Sequence, residues 1–246
     1  MASLKEVKGR IASVNNTRKI TSAMKMVASA KLHKAQAAIE SMLPYERRLH
    51  HILTDFMSNC TEVTSPFIVK REVKKVAVVV FASNTSLCGG FNANVIRHLV
   101  DLLAEYKPLG LENILVFAVG KKVADAVRKL GFRIEGDFQH MADKPSYQEA
   151  ADLAADLMKR FLHGDVDKVE LLYNHFKSTA SQILTRETYL PIDLNNEKKE
   201  EERTIDYILE PSAEELMQEM LPKVLRMKMF TVLLDSNAAE HAARTM

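Results

Sequence analysis

The first sixty residues carry apolar side chains at alternating spacings of three and four residues. This register has sixteen positions between Leu4 and Phe56, and twelve of them are apolar. A heptad pattern kept over about eight repeats is typical of a coiled coil. The sequence therefore predicts a long N-terminal helix over residues 1–58 that pairs with a second helix. The sixteen positions are Leu4, Val7, Ile11, Val14, Arg18, Thr21, Lys25, Ala28, Leu32, Ala35, Ile39, Met42, Glu46, Leu49, Leu53 and Phe56.

The register is interrupted by polar residues within residues 18–25. Arg18, Thr21 and Lys25 occupy seam positions there, while Met24 supplies an apolar group on a shifted face. A drift of the apolar stripe would explain this, because 3.6 residues per turn do not divide seven. Alternatively, this section has a second partner besides its helical one. Further along, Pro44 is expected to kink the helix.

A second helix is predicted at the other end of the chain, over residues 211–246. Ser212 and Glu215 have the spacing of a capping box after Pro211. No glycine follows from Leu216 onward, and residues 224–234 are apolar on most faces, as in a helix enclosed by others. The two terminal helices are therefore expected to pair as an antiparallel coiled coil.

The region between the helices, residues 73–209, alternates between strand and helix patterns. Residues 74–82 form a continuous β-branched run that is typical of a strand buried on both faces. The alternation predicts a Rossmann-like, three-layer α/β domain with a largely parallel sheet. The predicted strands are 74–82, 113–119, 167–176, 182–190 and 203–209, and the predicted helices are 92–106, 121–130 and 146–163.

Charge is distributed unevenly along the chain. The whole chain carries only +2, but residues 1–50 carry +7 and the remainder −5. A basic arm on an acidic body indicates an anionic partner for the arm. Because the arm is basic and poor in acids, a mitochondrial presequence is an alternative, although presequences are rarely continuous with a much longer helix. The longest apolar run, residues 76–82, is too short to span a bilayer.

The turn after the first predicted strand, SNTSLCGGFN at residues 83–92, lies where Rossmann enzymes bind pyrophosphate. Gly89 and Gly90 do not complete a GxGxxG fingerprint, and the second strand is followed by Lys121 and Lys122 rather than by a ribose-binding acid. The glycines are better explained by a tight strand-to-helix turn. We therefore predict no cofactor site in this domain.

No catalytic or metal site is predicted either. Cys60 and Cys88 have no metal-ligand spacing and favour a reducing compartment, and the eight histidines include no HExxH motif. Cys88 has no identifiable histidine partner, and no pair of carboxylates stands out.

Four motifs, present in order, together resemble the gamma subunit of bacterial F-type ATP synthases. They are IASVNNTRKITSAMKMVASAKLHKAQ, LCGGFNAN, YILEPS and NAAEHAARTM, at residues 11–36, 87–94, 207–212 and 237–246. The resemblance implies a non-catalytic rotor subunit without cofactors. Its terminal helices would form a central shaft inside a hexamer of alpha and beta subunits, and its α/β domain would be an outrigger. The shaft would couple proton-driven rotation to ATP synthesis or hydrolysis at the beta subunits.

The resemblance also assigns partner contacts to individual residues. It implies a collar, formed by Met24, Lys25, Lys31 and Arg244, that faces acidic loops of the beta subunits. It implies a foot, formed by Asp206, Tyr207 and Glu210, that meets the c-subunit ring and the epsilon subunit. The expected location is peripheral, on the cytoplasmic face of the bacterial inner membrane.

Two departures from the family pattern stand out. The turn usually reads close to SDRGLCGGFN, and here Asn84, Thr85 and Ser86 replace a charged pair and a glycine. This weakens the expectation of a partner contact at the turn. The chain also ends at Met246, whereas family members continue the C-terminal helix, so either the polypeptide is truncated or its sequence is incomplete.

Three other functional classes remain as alternatives to the rotor subunit. The chief one is a nucleotide- or cofactor-dependent α/β enzyme with a basic helical oligomerisation arm. A nucleic-acid binder is disfavoured because the arm lacks base-reading groups at helical spacing. Membrane binding is disfavoured because the arm has no tryptophan and Phe56 is its only phenylalanine.

Overall fold

Two long helices begin and end the part of the chain that the structure describes. The structure is a computed structural model, and it describes residues 3–59, 65–192 and 213–246. Helix α1 (Leu4–Asn59) runs 56 residues without interruption and continues through Pro44. The final helix, α6 (Ala213–Thr245), continues likewise through Pro222. The strand predicted over 203–209 and the cap at Ser212 lie outside the described residues.

A four-stranded sheet lies between these helices in sequence. Its strands are β1 (Val76–Phe81), β2 (Ile114–Val119), β3 (Lys168–Ser178) and β4 (Ser181–Leu190), in the spatial order β2-β1-β3-β4. Strand β1 pairs in parallel with both β2 and β3. Strand β4 is antiparallel to β3 because only two residues connect them, and a parallel pair needs a longer crossover. The described sheet is therefore mixed, with one antiparallel edge strand.

Within the described part of the α/β domain there are four shorter α-helices: α2 (Phe91–Tyr106), α3 (Lys121–Lys129), α4 (Gln139–Asp143) and α5 (Tyr147–His163). The sequence predicted α2, α3 and α5. Helix α4 has only five residues, too few to show a helical period. Helices α3 and α5 are each followed by a glycine with positive φ, Gly131 and Gly164, which is the residue and conformation that commonly end a helix.

Strand β1 is buried on both of its faces. Val76, Val78 and Val80 pack in one core cluster with α2 and α3. Ala77, Val79 and Phe81 point to the other face and pack in a second cluster with α5 and α6. This two-sided burial explains the uninterrupted apolar run in the sequence.

The C-terminal helix is part of the sheet's core. The second cluster includes Leu221, Leu225, Met229 and Leu233 of α6, all at most 4% exposed. They cover the same face of the sheet as α5 does. The hydrophobic surface of α6 therefore stabilises the α/β domain as well as the helix pair.

Helices α1 and α6 pack together through small side chains. Leu32 and Ala35 of α1 form a cluster with Ala238 and Ala242 of α6, and all four are buried. Alanines let the two backbones approach closely. Later residues of α1, namely Ala38, Ile39 and Met42, pack against the large cluster to which α6 contributes residues 217–234.

The first part of the predicted seam has no covering partner among the described residues. Leu4, Val7, Ile11 and Val14 are 42–73% exposed. Among the described residues, α6 covers α1 only from the section around Leu32 onward, and its last turn at Thr245 lies beside that section.

A buried ionic network joins α2, β3 and β4. Glu170 is 2% exposed and accepts hydrogen bonds from Lys168 Nζ (2.6 Å), Tyr106 Oη (2.8 Å) and Arg186 Nε (2.9 Å). Arg186 Nη1 also contacts Glu105 Oε2 at 2.8 Å. Burial alone would raise the pKa of Glu170, but the hydrogen bonds from Arg186, Lys168 and Tyr106 lower it.

Candidate partner interface

The N-terminal part of α1 presents basic and apolar side chains to solvent. Among the predicted collar residues, Met24 is 46% exposed, and Lys25 and Lys31 are also exposed. Met26 and Val27 lie beside them and are 66% and 58% exposed. Glu6 is the only acid before Glu40, and it is paired with Arg10 at 2.6 Å. This surface therefore offers positive charge and polarizable apolar groups to a partner.

Arg244 is the collar residue with well-defined contacts inside the chain. Its Nη1 donates to the carbonyl of Ser86 (2.7 Å), and its Nη2 donates to the Thr85 hydroxyl (2.6 Å) and carbonyl (3.2 Å). Its Nε donates to Glu240 Oε1 at 2.8 Å. With its side chain only 17% exposed, Arg244 ties the last turn of α6 to the turn after β1.

Two buried ionisable residues lie beside Arg244. Burial raises the pKa of Glu240, against the hydrogen bond from Arg244. Burial, together with the positive charges of Lys31 and Arg244, lowers the pKa of His241 to about 4. Lys31 of α1 is thus close enough to α6 to act on His241. The structure brings Lys31 and Arg244 to one level of the helix pair, and Met24 lies about two turns nearer the N-terminus on α1.

The turn that connects β1 to α2, residues 83–90, is called the glycine loop below. Asn92 accepts hydrogen bonds from the backbone N–H and the hydroxyl of Ser83, both at 3.0 Å. Leu87 and Gly89 have positive φ, 68° and 57°. A non-glycine residue in this region costs about 1 kcal/mol, so neighbouring contacts must hold the loop. Gly89 confirms the predicted tight turn.

The departures from the family pattern have defined roles in this loop. Asn84 Oδ1 accepts a hydrogen bond of 2.8 Å from the backbone N–H of Lys121, at the start of α3. Asn84 Nδ2 donates a hydrogen bond of 2.7 Å to the Asp143 carboxylate. Thr85 and Ser86 supply the oxygen atoms that bind Arg244. These three residues thus fix the loop to other elements of the same chain.

Helix α6 covers the carboxyl ends of β1 and β2, where Rossmann enzymes bind a dinucleotide. Leu233, Ser236 and Asn237 of α6 line the same small cavity as Phe81 and Val119 at the ends of those strands. A nucleotide could enter only if the helix were displaced. The same end of α6 makes polar contacts: Asn237 Nδ2 donates to the carbonyl of Ala142 at 2.9 Å, and Asp235 accepts the N–H of Phe176 at 2.8 Å.

Sequence reasoning missed Asp235, Asn237 and Thr85 as contact residues. Single polar residues with no spacing rule give no signal, and their partners lie far away in sequence. The foot residues Asp206, Tyr207 and Glu210 lie outside the described residues. Within residues 3–59, 65–192 and 213–246, no cluster of His, Cys, Asp and Glu could hold a metal ion. No helix in these same ranges is long and apolar enough to cross a membrane.

Comparison with known proteins identifies the family. A family model described as ATP synthase matches residues 3–246. The ATP synthase gamma chain of Phocaeicola vulgatus is 80% identical over 248 residues, covering 100% of this chain and 86% of the relative. The gamma chain of Bacteroides thetaiotaomicron is 60% identical with the same coverage of each chain.

A solved structure supports the fold. A chain from the central stalk and c-ring structure of the Tetrahymena thermophila mitochondrial ATP synthase superposes with a TM-score of 0.61 at 20% identity. The match covers 92% of this chain and 96% of that chain. The resemblance inferred from the four sequence motifs is therefore confirmed: the chain belongs to the ATP synthase gamma chain family.

Proposed function

We propose that this chain transmits torque mechanically and performs no chemistry itself. In this proposal, α1 and α6 form an antiparallel coiled-coil shaft from residues 1–58 and 211–246. Residues 73–209 form an outrigger whose core is shared with α6. The packing of Leu32 and Ala35 on Ala238 and Ala242 carries the proposal, because it joins both ends of the chain in one element. Later α1 residues pack on the cluster that contains earlier α6 residues, which is the order expected of antiparallel helices.

The exposed collar is proposed to contact acidic loops of the beta subunits. Met24, Lys25 and Lys31 are free to do so, since all three are exposed. A cationic surface attracts an anionic loop at long range, and mixed apolar and charged groups suit a contact that is repeatedly made and broken. Arg244 lies at the level of Lys31, but its guanidinium N–H groups donate hydrogen bonds within the chain. We therefore propose that Arg244 supports the collar and does not itself bind the acidic loops.

The remaining partners and the location are proposed from the family. The foot, Asp206, Tyr207 and Glu210, would meet the c-subunit ring and the epsilon subunit. The alpha subunits would complete the surrounding hexamer. The chain would then be attached to the cytoplasmic face of the inner membrane through the complex.

The alternative, a nucleotide- or cofactor-dependent α/β enzyme, is less well supported. Helix α6 fills the place where a dinucleotide would bind, and the sequence lacks the phosphate fingerprint. We therefore propose that the domain is Rossmann-like in architecture only.

Reconstitution tests the proposal. A complex assembled from alpha, beta, epsilon and membrane subunits, with and without this chain, is placed in vesicles, and proton pumping is measured per ATP hydrolysed. We expect pumping only when the chain is present, and no ATP turnover by the chain alone. Binding of a dinucleotide by the purified chain at micromolar concentration would instead favour the enzyme.

A further inference from the structure

Three polar side chains of α6 reach three different segments at the carboxyl end of the sheet. Asp235 accepts a hydrogen bond from the end of β3. Asn237 donates a hydrogen bond to α4, and Arg244 donates one to the glycine loop. The three residues lie within three turns of one another on the shaft helix. The α/β domain is thus attached to α6 by directional contacts as well as by its apolar core.

The contact made by Arg244 is the most extensive of the three. Three of its hydrogen bonds end on Thr85 and Ser86, and the paired carboxylate of Glu240 fixes the guanidinium from its own helix. A planar guanidinium can satisfy several acceptors at fixed angles, which a lysine ammonium cannot do in the same way. The loop that it binds contains two positive φ angles and needs outside contacts to keep its shape.

We propose that Arg244 is a positioning residue. Its guanidinium clamps the glycine loop to the last described turn of α6, and the clamp fixes the angle at which the shaft leaves the α/β domain. The proposal rests on the rotor function proposed above. If the shaft could tilt relative to the α/β domain, part of each rotational step would be lost as elastic motion. By preventing this tilt, the clamp maintains the coupling of rotation to catalysis.

Thr85 provides a selective way to break the clamp. Its hydroxyl lies 2.6 Å from Arg244 Nη2. Thr85→Val removes this acceptor while it keeps the side-chain shape, and Thr85→Ser keeps the acceptor. The pair therefore separates the hydrogen bond from the packing of the loop, and Arg244→Gln removes the whole clamp.

The experiment compares wild type, Thr85→Val, Thr85→Ser, Arg244→Gln and the Thr85→Val/Arg244→Gln double variant in the complete complex. Hydrogen exchange of the glycine loop and protons pumped per ATP hydrolysed are measured for each, and thermal unfolding confirms that each chain is folded. Loss of a hydrogen bond to a charged group should speed exchange of the loop amides about tenfold. We expect Thr85→Val and Arg244→Gln to show faster exchange and fewer protons per ATP, and Thr85→Ser to resemble wild type.

The double variant should be no worse than Arg244→Gln alone, since both changes break one clamp. Unchanged pumping in Thr85→Val with faster loop exchange would overturn the proposal, because the clamp would then be purely structural. Additive losses in the double variant would also overturn it, because Arg244 would then act on another partner. Failure of the wild-type chain to support pumping would instead reject the proposed rotor function, whatever the variants do.

Discussion

His241 is a buried imidazole placed between positive charges. It is 8% exposed, its Nδ1 has no hydrogen-bond partner among the described residues, and burial together with Lys31 and Arg244 lowers its pKa to about 4. The folded chain therefore favours the neutral ring. Protonation would place a third positive charge in the α1–α6 contact, next to Glu240 and near Asp143 of α4.

This arrangement predicts a pH-dependent stability. Because the folded pKa lies below the ordinary value of 6.5, the stabilisation is complete above pH 6.5 and is lost as the pH falls towards 4. Between pH 6.5 and pH 4, we expect the free energy of unfolding of the wild type to fall by about 2 kcal/mol more than that of His241→Gln. Urea unfolding at several pH values measures the difference. The raised pKa values of Glu240 and Asp235 act in the opposite direction, so only the comparison with the variant isolates His241; parallel curves would contradict the prediction.

Glu170 is the other residue whose charge is enclosed by the fold. Glu170→Gln leaves Lys168 and Arg186 without their shared anion, and removal of one partner from a buried ion pair costs about 3–5 kcal/mol. We expect chemical denaturation to show that Glu170→Gln lowers the free energy of unfolding by about 3–5 kcal/mol.

The network contains its own control for this prediction. Glu105→Gln removes the outer partner of Arg186. The side chain of Glu105 is 56% exposed. An exposed pair is worth about 1 kcal/mol or less. An equal fall in the free energy of unfolding in the two variants would show that the contribution of Glu170 to stability does not depend on its burial.

At the scale of elements, the heptad register of α1 has two different environments. Leu32 is 5% exposed against α6, whereas Val7 is 42% exposed. Leu32→Asp should therefore destabilise the chain by several kcal/mol through a buried unpaired charge. Val7→Asp, at another position of the same apolar seam, should change stability by about 0.5 kcal/mol or less. Thermal unfolding of both variants is the measurement, and a large loss for Val7→Asp would mean that the N-terminal seam is covered in solution.

Most elements were predictable from the sequence because their signals are local. The β-branched run at β1, the heptads of α1 and the glycines that end α3 and α5 each depend on neighbouring residues. The antiparallel pairing of β4 and the burial of α6 against the sheet depend on contacts between distant segments. Periodicity shows that α6 has wide apolar faces, but it does not show that one of them packs on a β-sheet.

The candidate site was predictable only in part for the same reason. Met24 and Lys25 are exposed, but so are the uninterrupted seam positions Leu4 to Val14, so exposure does not distinguish the interrupted section and the collar contact stays a prediction. The hydrogen bonds of Arg244 end on backbone and hydroxyl oxygens about 160 residues away. No sequence pattern specifies such partners.

At the scale of the whole molecule, the collar proposal makes a prediction about coupling. Met24→Lys adds a charge to a surface that is already exposed, so the chain should fold normally. In the assembled complex the misplaced charge should alter the contact with the acidic loops and lower the number of protons pumped per ATP hydrolysed.

A matched variant on the outrigger tests whether the position matters. Leu111 is 48% exposed in the α/β domain, and Leu111→Lys introduces the same charge away from the shaft. Vesicle assays should show normal coupling for Leu111→Lys. Unchanged coupling for Met24→Lys would remove Met24 from the collar.

The shared core of α6 and the sheet has a consequence for how the chain is made. During synthesis, residues 76–190 leave the ribosome before residues 213–245, so Ala77, Val79 and Phe81 have only part of their covering until the final helix arrives. Until the final helix is made, this apolar face of the sheet is exposed, and exposed apolar surface on a nascent chain favours aggregation. Substitutions on the sheet-facing side of α6 should accordingly reduce soluble yield in cells.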